Sequence, residues 1–252
     1  MSNYGKIDIL WYDVPQPLQH HEGWESLAMN QMVRKLQPGI LINDRSRLPE
    51  DFSTPEGHVK AAEAGRGWEA CMTFNDTSWG YMPSAAQDAH RPRDIMKMLN
   101  TACTGAGNLL MNIGPSPEGD VPEDAIEPLT AVGKWLKKNG EAVYGELGRP
   151  VIGLCTSCGR FSQKGNKLYF WCRNWPGREM NLGGFQTKLK SARFLVSGKE
   201  IAFEQKGHRI ILKKMPTNSP DKIVGYTVIV LEFTRPPIHL NAASTPALTV
   251  GG

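Results

Sequence analysis

The chain reads as an α/β protein whose first part is a partial (β/α)8 barrel, its second half, followed by an antiparallel β-sandwich. Three observations carry this reading. Residues 1–145 alternate short apolar runs with helical patterns, which predicts a parallel sheet with crossover helices. The apolar runs end in polar or aromatic residues, the pattern of a barrel's catalytic rim. From about Arg149 onward, short β-rich runs are separated by Gly, Pro and Asn turns, which predicts a sandwich.

The elements follow in order. Residues 6–13, Lys-Ile-Asp-Ile-Leu-Trp-Tyr-Asp, form an apolar run that delivers Trp11 and Asp13 to the carboxyl end of a buried strand. Residues 24–36 place Trp24, Leu27, Met32 and Leu36 near the helical period, so these four are expected to face the core. Residues 39–45 are a second buried-type strand, ending in Asn43, Asp44 and Arg45. After a loop rich in Pro, Gly and charge, residues 68–74 form a third, with Thr73 and Asn75 at its end. Residues 93–103 are helical, with Ile95, Met98 and Leu99 on one face and glycines at 105 and 107 to stop them. Residues 108–114 are the fourth strand. A helix opens at Pro122 with acids in its first turn and runs to about Asn139. In the second part, strands are expected at 167–172, 192–196, 200–204, 209–212 and 226–233. The expected division is 1–147 for the barrel part, 148–236 for the sandwich and 237–252 for a flexible tail rich in Ala, Thr and Pro.

Composition narrows the function. A net charge of +4, from 29 basic and 25 acidic residues spread along the chain, does not call for nucleic acid. No apolar run approaches the roughly 18 residues that span a bilayer, so no membrane partner is expected; no signal-peptide core follows Met1, and the compartment stays open. Five cysteines at irregular spacing do not make a disulfide framework. Cys155 and Cys158 form the one close pair. A zinc site would want a second such pair, and a redox motif would want a helix after it, whereas 159–165 reads as a turn. His20-His21 lacks a third ligand at metal spacing, so neither a metal nor a cofactor is expected.

A carboxylate two residues after a tryptophan at a strand end suits a carbohydrate site, the indole packing on a sugar face while the acid reaches the anomeric centre. The alternative is an Asp that merely caps the following loop. Further blocks recur in order: Asn43-Asp-Arg45, Phe52-Ser-Thr-Pro-Glu56, Trp68-Glu69, Met72-Thr-Phe-Asn-Asp-Thr-Ser-Trp-Gly-Tyr81, Asn108-Leu-Leu-Met-Asn-Ile-Gly-Pro115 and the run Trp135 to Tyr144. Over roughly residues 4–145 the chain closely resembles the α-L-fucosidases of glycoside hydrolase family 29. The resemblance implies retaining hydrolysis of terminal α-L-fucosyl linkages through a covalent glycosyl-enzyme, with a fucosylated oligosaccharide or glycoconjugate as partner.

Under that resemblance Asp13 falls at the nucleophile. Glu56 falls at one position of the acid/base and is preferred, with Glu69 the rival, because family members differ in which carboxyl does this work. A retaining glycosidase needs its two carboxyls about 5–5.5 Å apart, one ionised and one protonated. Trp11 and Arg45 match positions that line the fucose pocket; the alternative for Arg45 is an ion pair with Asp44 or Glu50. Trp79 and Tyr81 are candidates for an apolar wall, against ordinary packing, and Asn112 reads as a residue that holds loops. The family begins with strands that this chain lacks, so the chain is expected to be a fragment, weakly active or inactive alone. It would pair with an N-terminal half or a second copy, because half a barrel leaves strand edges and an apolar interior open. The competing reading is an inactive carbohydrate-binding or structural remnant.

Overall fold

A computed structural model describes residues 1–150 and 155–240, with the side chain of Cys155 left aside. Its first part contains β1 (Ile9–Leu10), α1 (Ser26–Leu36), β2 (Leu41–Ile42), β3 (Phe52–Ser53), β4 (Gly67–Thr73), α2 (Pro92–Thr104), β5 (Asn108–Asn112) and α3 (Glu123–Asn139). All strand pairings here are parallel: β1 with β2, β3 with β4, and β4 with β5. A parallel bridge between Asn43 and Phe52 links β2 to β3, so the five strands follow one another in chain order. Among the described residues they do not close into a barrel.

Side-chain alternation gives this array two faces. One packs on the helices: Ile40 and Ile42 meet Val33 of α1, and Trp68 and Ala70 meet Ala102 of α2. The opposite face carries Ile9, Leu41 and Leu110, all exposed, and the register puts Glu69 beside Asn108 and Cys71 beside Leu110. No described helix is long and apolar enough to cross a membrane.

Two expectations are corrected in this part. The strand expected at 7–13 is assigned only at Ile9–Leu10. Beyond Leu10 the ladder is replaced by a side chain: the Asn43 carboxamide accepts from Tyr12 N at 2.8 Å and donates to Tyr12 O at 2.9 Å. Helix α1 turns a different face inward from the one its periodicity suggests. Ser26, Asn30 and Val33 are buried, whereas Leu27, Met32 and Leu36 are exposed. The reason is a polar network on the inner side. Asn30 accepts from the Tyr12 hydroxyl and donates to Ser46 and Glu50, while Arg34 pairs with Glu50 and Asp51.

The second part contains β6 (Cys155–Thr156), β7 (Gly159–Lys164), β8 (Lys167–Cys172), β9 (Met180–Leu182), β10 (Leu189–Phe194), β11 (Ala202–Lys206), β12 (Arg209–Lys213) and β13 (Thr227–Phe233). Two antiparallel sheets, ordered β10-β13-β8-β7-β6 and β11-β12-β9, enclose a core that includes Phe161, Phe170, Phe185, Leu212 and Phe233. The segment 159–165, expected as a turn, is mainly strand β7. Its glycine is there for closeness: a Cβ on Gly159 would lie 2.1 Å from the Trp171 carbonyl oxygen. Thus the Cys155/Cys158 pair sits in the hairpin of β6 and β7. Within the stretch expected as a tail, residues 237–240 are joined to the sandwich. Ile238 N donates to Thr187 Oγ1, His239 bridges Phe185, and Leu240 N donates to Gly184 O. The rest of that tail, 241–252, lies outside the described residues.

One apolar cluster joins the two parts. Phe74, Ile95, Met96 and Trp135 from the first pack with Tyr169, Trp171, Tyr226, Val228 and Val230 from the second. Trp135 and Trp171 lie 4.9 Å apart between ring centroids, and Trp135 Nε1 donates to Tyr226 O.

Candidate active site

The site is assembled at the carboxyl ends of β1 and β2 and in the segment that follows β3. The buried Asn43 carboxamide fixes the Tyr12 peptide, and with it the side chains on either side, Trp11 and Asp13. The chain then bends sharply at Val14, whose φ of 44° is costly for a β-branched residue. This bend lets Val14 N donate to Asp13 Oδ1 at 2.8 Å. The same oxygen accepts from Arg45 Nη1 at 2.7 Å, leaving Oδ2 without a hydrogen bond among the described residues. Asp13 itself is open to solvent, its side chain 64% exposed.

Arg45 is the hub. Its side chain is only 10% exposed, with Nη1 on Asp13 and Nη2 2.6 Å from Glu56 Oε2. Nε donates to Thr54 Oγ1, and the guanidinium carbon lies 4.4 Å from the centre of the Trp11 ring, a cation–π arrangement. The alternative pairing with Asp44 or Glu50 is not made. Asp44 Oδ1 accepts from Thr54 N and Oγ1, and Glu50 is taken by Asn30 and Arg34.

Glu56 is held against β4 by its neighbours, since Cys71 N donates to Pro55 O and Gly57 N donates to Cys71 O. Glu69 lies on the third residue of β4, half-buried. Burial pushes its carboxyl above the ordinary carboxylate range, and the Trp11 indole N–H acts in the opposite direction. That indole nitrogen is itself buried without a hydrogen bond of good geometry among the described residues. Asp13, Arg45, Glu56, Glu69 and Trp11 are therefore brought together. The sequence reading had not singled out Cys71, Thr54 or the role of Asn43. Cys71, two residues after Glu69 on the same strand face, is pushed up to about 11 by burial and then by the Glu69, Glu56 and Asp13 carboxylates, against Arg45. That two-residue spacing was the signal that could have found it.

Trp79 and Tyr81 lie exposed on the loop after β4, and no hydrogen bond or ring contact among the described residues ties them to Asp13. Asn112 holds this loop, its Nδ2 donating to Trp79 O at 2.7 Å. Gly114 permits the close approach, because a Cβ there would lie 2.4 Å from the Gly80 carbonyl carbon. His21 lies 3.3 Å from Glu22, and among the described residues no group of three or more His, Cys, Asp or Glu is placed to hold a metal. Two cavities, of about 460 and 380 Å³, lie elsewhere: the first in the sandwich, the second between it and α3.

Paired acids, a cation between them and an aromatic ring, set on parallel strand ends, resemble the layout of a carbohydrate site. The family model described as "Alpha-L-fucosidase" matches residues 1–141. The chain belongs to that family. It is 34% identical over 119 residues to an α-L-fucosidase of Branchiostoma floridae, covering 46% of this chain and 26% of that one. It is 45% identical over 78 residues to the plasma α-L-fucosidase of Rattus norvegicus, 31% of this chain and 17% of the relative. Among solved structures, α-L-fucosidase isoenzyme 1 from Paenibacillus thiaminolyticus superposes with a TM-score of 0.80 at 29% identity, over 92% of this chain and 59% of that one. A Bacteroides thetaiotaomicron family 29 enzyme, trapped as a covalent intermediate with 2-fluoro-fucosyl fluoride, shares the fold with a TM-score of 0.76 at 23% identity, over 90% of this chain and 56% of that one. The chain thus spans less than two thirds of each of these relatives.

Proposed function

We propose that this chain carries the reacting carboxyls of a retaining α-L-fucosidase. In this reading β1–β5 are part of a (β/α)8 barrel, residues 1–147 are its share of the catalytic domain, and the sandwich runs from 148 to 240. The observation that carries the reading is the single guanidinium of Arg45 bound at once to Asp13 and Glu56 and stacked on Trp11. The covalent intermediate named for the Bacteroides relative supports the retaining course.

In the first step Asp13, anchored through Oδ1, attacks the anomeric carbon through Oδ2. The C1–O bond to the aglycone breaks, and the leaving oxygen takes a proton from the acid/base. In the second, the same group removes a proton from water, whose oxygen attacks C1 and releases the Asp13 carboxylate. Glu56 is the proposed acid/base because it shares Arg45 with the nucleophile. Glu69 is the second reading, favoured by the burial that raises its proton affinity. Trp11 and Arg45 line the sugar pocket, and Trp79 and Tyr81 form its outer wall. The substrate is a terminal α-L-fucosyl group of an oligosaccharide or glycoconjugate.

Incubation with 2-deoxy-2-fluoro-α-L-fucosyl fluoride, followed by digestion and mass spectrometry, tests the reading. A fucosyl adduct on Asp13 is expected. A cooperatively folded protein that gains no adduct would make the chain a carbohydrate-binding or structural remnant instead. With an activated aryl fucoside, azide rescue of Glu56→Ala but not of Glu69→Ala assigns the acid/base to Glu56, and the converse assigns it to Glu69.

A further inference from the structure

Basic residues divide evenly between the two parts of the chain, and acidic ones do not. Residues 1–150 carry 14 basic and 20 acidic residues, a net charge of −6, whereas 155–240 carry 15 and 5, a net charge of +10. A module charged so strongly with one sign attracts polyanions. The positive charge of the sandwich also has a focus. A cavity of about 460 Å³ opens at the turn between β11 and β12, beside Gly183 and Gly184, and is lined by Lys206, His208 and Arg209. Its volume falls within the range of roughly 300–1,000 Å³ typical of small-molecule sites.

Register brings these side chains together. Lys206 stands opposite Arg209 in the β11–β12 ladder, and His208 lies in the turn that joins them. Both Lys206 and Arg209 are exposed, as is His208, while Ile210 and Leu212 point into the core. Glu204 Oε1 lies 2.8 Å from Lys206 Nζ and its Oε2 2.5 Å from Lys213 Nζ, and these two ammonium groups hold its carboxyl down at about 2. Lys206 has three N–H donors, so others remain for a ligand. Arg209 makes no ion pair among the described residues. A Cβ on Gly183 would meet nothing within 4 Å, so that side of the cavity is open. No aromatic side chain lines it, so a nucleic-acid base would find no stacking partner there. Three nitrogen-bearing side chains match the three outward oxygens of a sulfate ester better than the two of a carboxylate or a phosphodiester. We infer that the sandwich binds a sulfated polysaccharide, with one sulfate ester seated against Lys206, His208 and Arg209. The choice of a sugar rests on the function proposed above; the choice of the anion rests on these side chains alone.

Calorimetry on the full chain tests this with four probes: dextran sulfate, polygalacturonate, neutral dextran and duplex DNA. Dextran sulfate is expected to bind saturably and to weaken as salt screens the charges. Polygalacturonate and DNA should bind about tenfold more weakly for want of one charged hydrogen bond, and dextran not at all. Arg209→Glu should weaken dextran sulfate binding by about tenfold or more. Lys199→Glu makes the same kind of charge reversal before β11, away from the cavity, and should weaken it by no more than about threefold. Gly183→Trp should fill the open side without altering charge and weaken binding as Arg209→Glu does; if it lowers the urea midpoint, Gly183→Leu serves the same purpose. Absence of saturable binding, equal or tighter binding of polygalacturonate, dextran or DNA, equal losses from the Arg209 and Lys199 variants, or indifference to the filling substitution would each overturn the inference. A chain that binds dextran sulfate but gains no fucosyl adduct on Asp13 would refute only the function proposed above, and the converse only this site.

Discussion

Replacing Asn43 by alanine removes the clamp that holds the segment bearing Asp13. Asn43 is fully buried, and its carboxamide makes two hydrogen bonds to the Tyr12 backbone, at 2.8 and 2.9 Å. Alanine cannot replace either, so Tyr12 N–H and C=O both lose their partner in a half-buried setting. With about 1–3 kcal/mol for each buried group left unsatisfied, and the lower part of that range for partial solvent access, the loss comes to about 2–4 kcal/mol. At a urea m-value of about 3 kcal/mol per M, the midpoint should fall by about 1 M. Asn43→Asp keeps an acceptor for Tyr12 N but has no donor for Tyr12 O, so it should fall between the two. The assay is urea unfolding followed by tryptophan fluorescence and far-ultraviolet dichroism together. A midpoint for Asn43→Ala that matches the parent would refute the argument that this side chain replaces the strand ladder.

Three further outcomes are expected. Gly107→Ala should cost about 1–3 kcal/mol or more, read as a lowered melting temperature, because its Cβ would lie 2.0 Å from the indole of buried Trp68. Glu69→Gln should raise the urea midpoint at pH 8 and leave it nearly unchanged at pH 4. The folded state raises this carboxyl's pKa, so its contribution is fully present below the unfolded value near 4.5 and is lost as pH rises through the folded one; a larger gain at pH 4 would contradict the sign. Trp135→Ala should cost about 3–5 kcal/mol and lower one shared calorimetric transition, since its ring packs on Trp171 across the two parts. Two separate transitions, with only one displaced, would show that the parts unfold independently.

Much of the fold was legible because its signals are local. The apolar run of β4, the helical spacing and terminal glycine of α2, and the proline and acids opening α3 each act within a few residues. What failed depended on partners far along the chain. The inner face of α1 is decided by Tyr12, Ser46 and Glu50, which no periodicity within α1 contains. Gly159 looked like a turn residue because the sequence does not display the Trp171 carbonyl that excludes a side chain there. The site shows the same division. Trp11, Asp13 and Arg45 stood out as polar endings to apolar runs, whereas Thr54 and Cys71 join them only through the parallel register of β2, β3 and β4.

The exposed apolar side chains of α1 and of the open strand face bear on how the protein should be handled. Leu27, Met32 and Leu36 are exposed on α1, and Ile9, Leu41 and Leu110 lie on the strand face that also carries Glu69 and Cys71. Surfaces of this kind promote self-association as concentration rises. Clumped molecules would hide Asp13 by crowding rather than by any fault of chemistry. A blank result from a concentrated sample is therefore a statement about colloids until light scattering has shown the solution to be monodisperse.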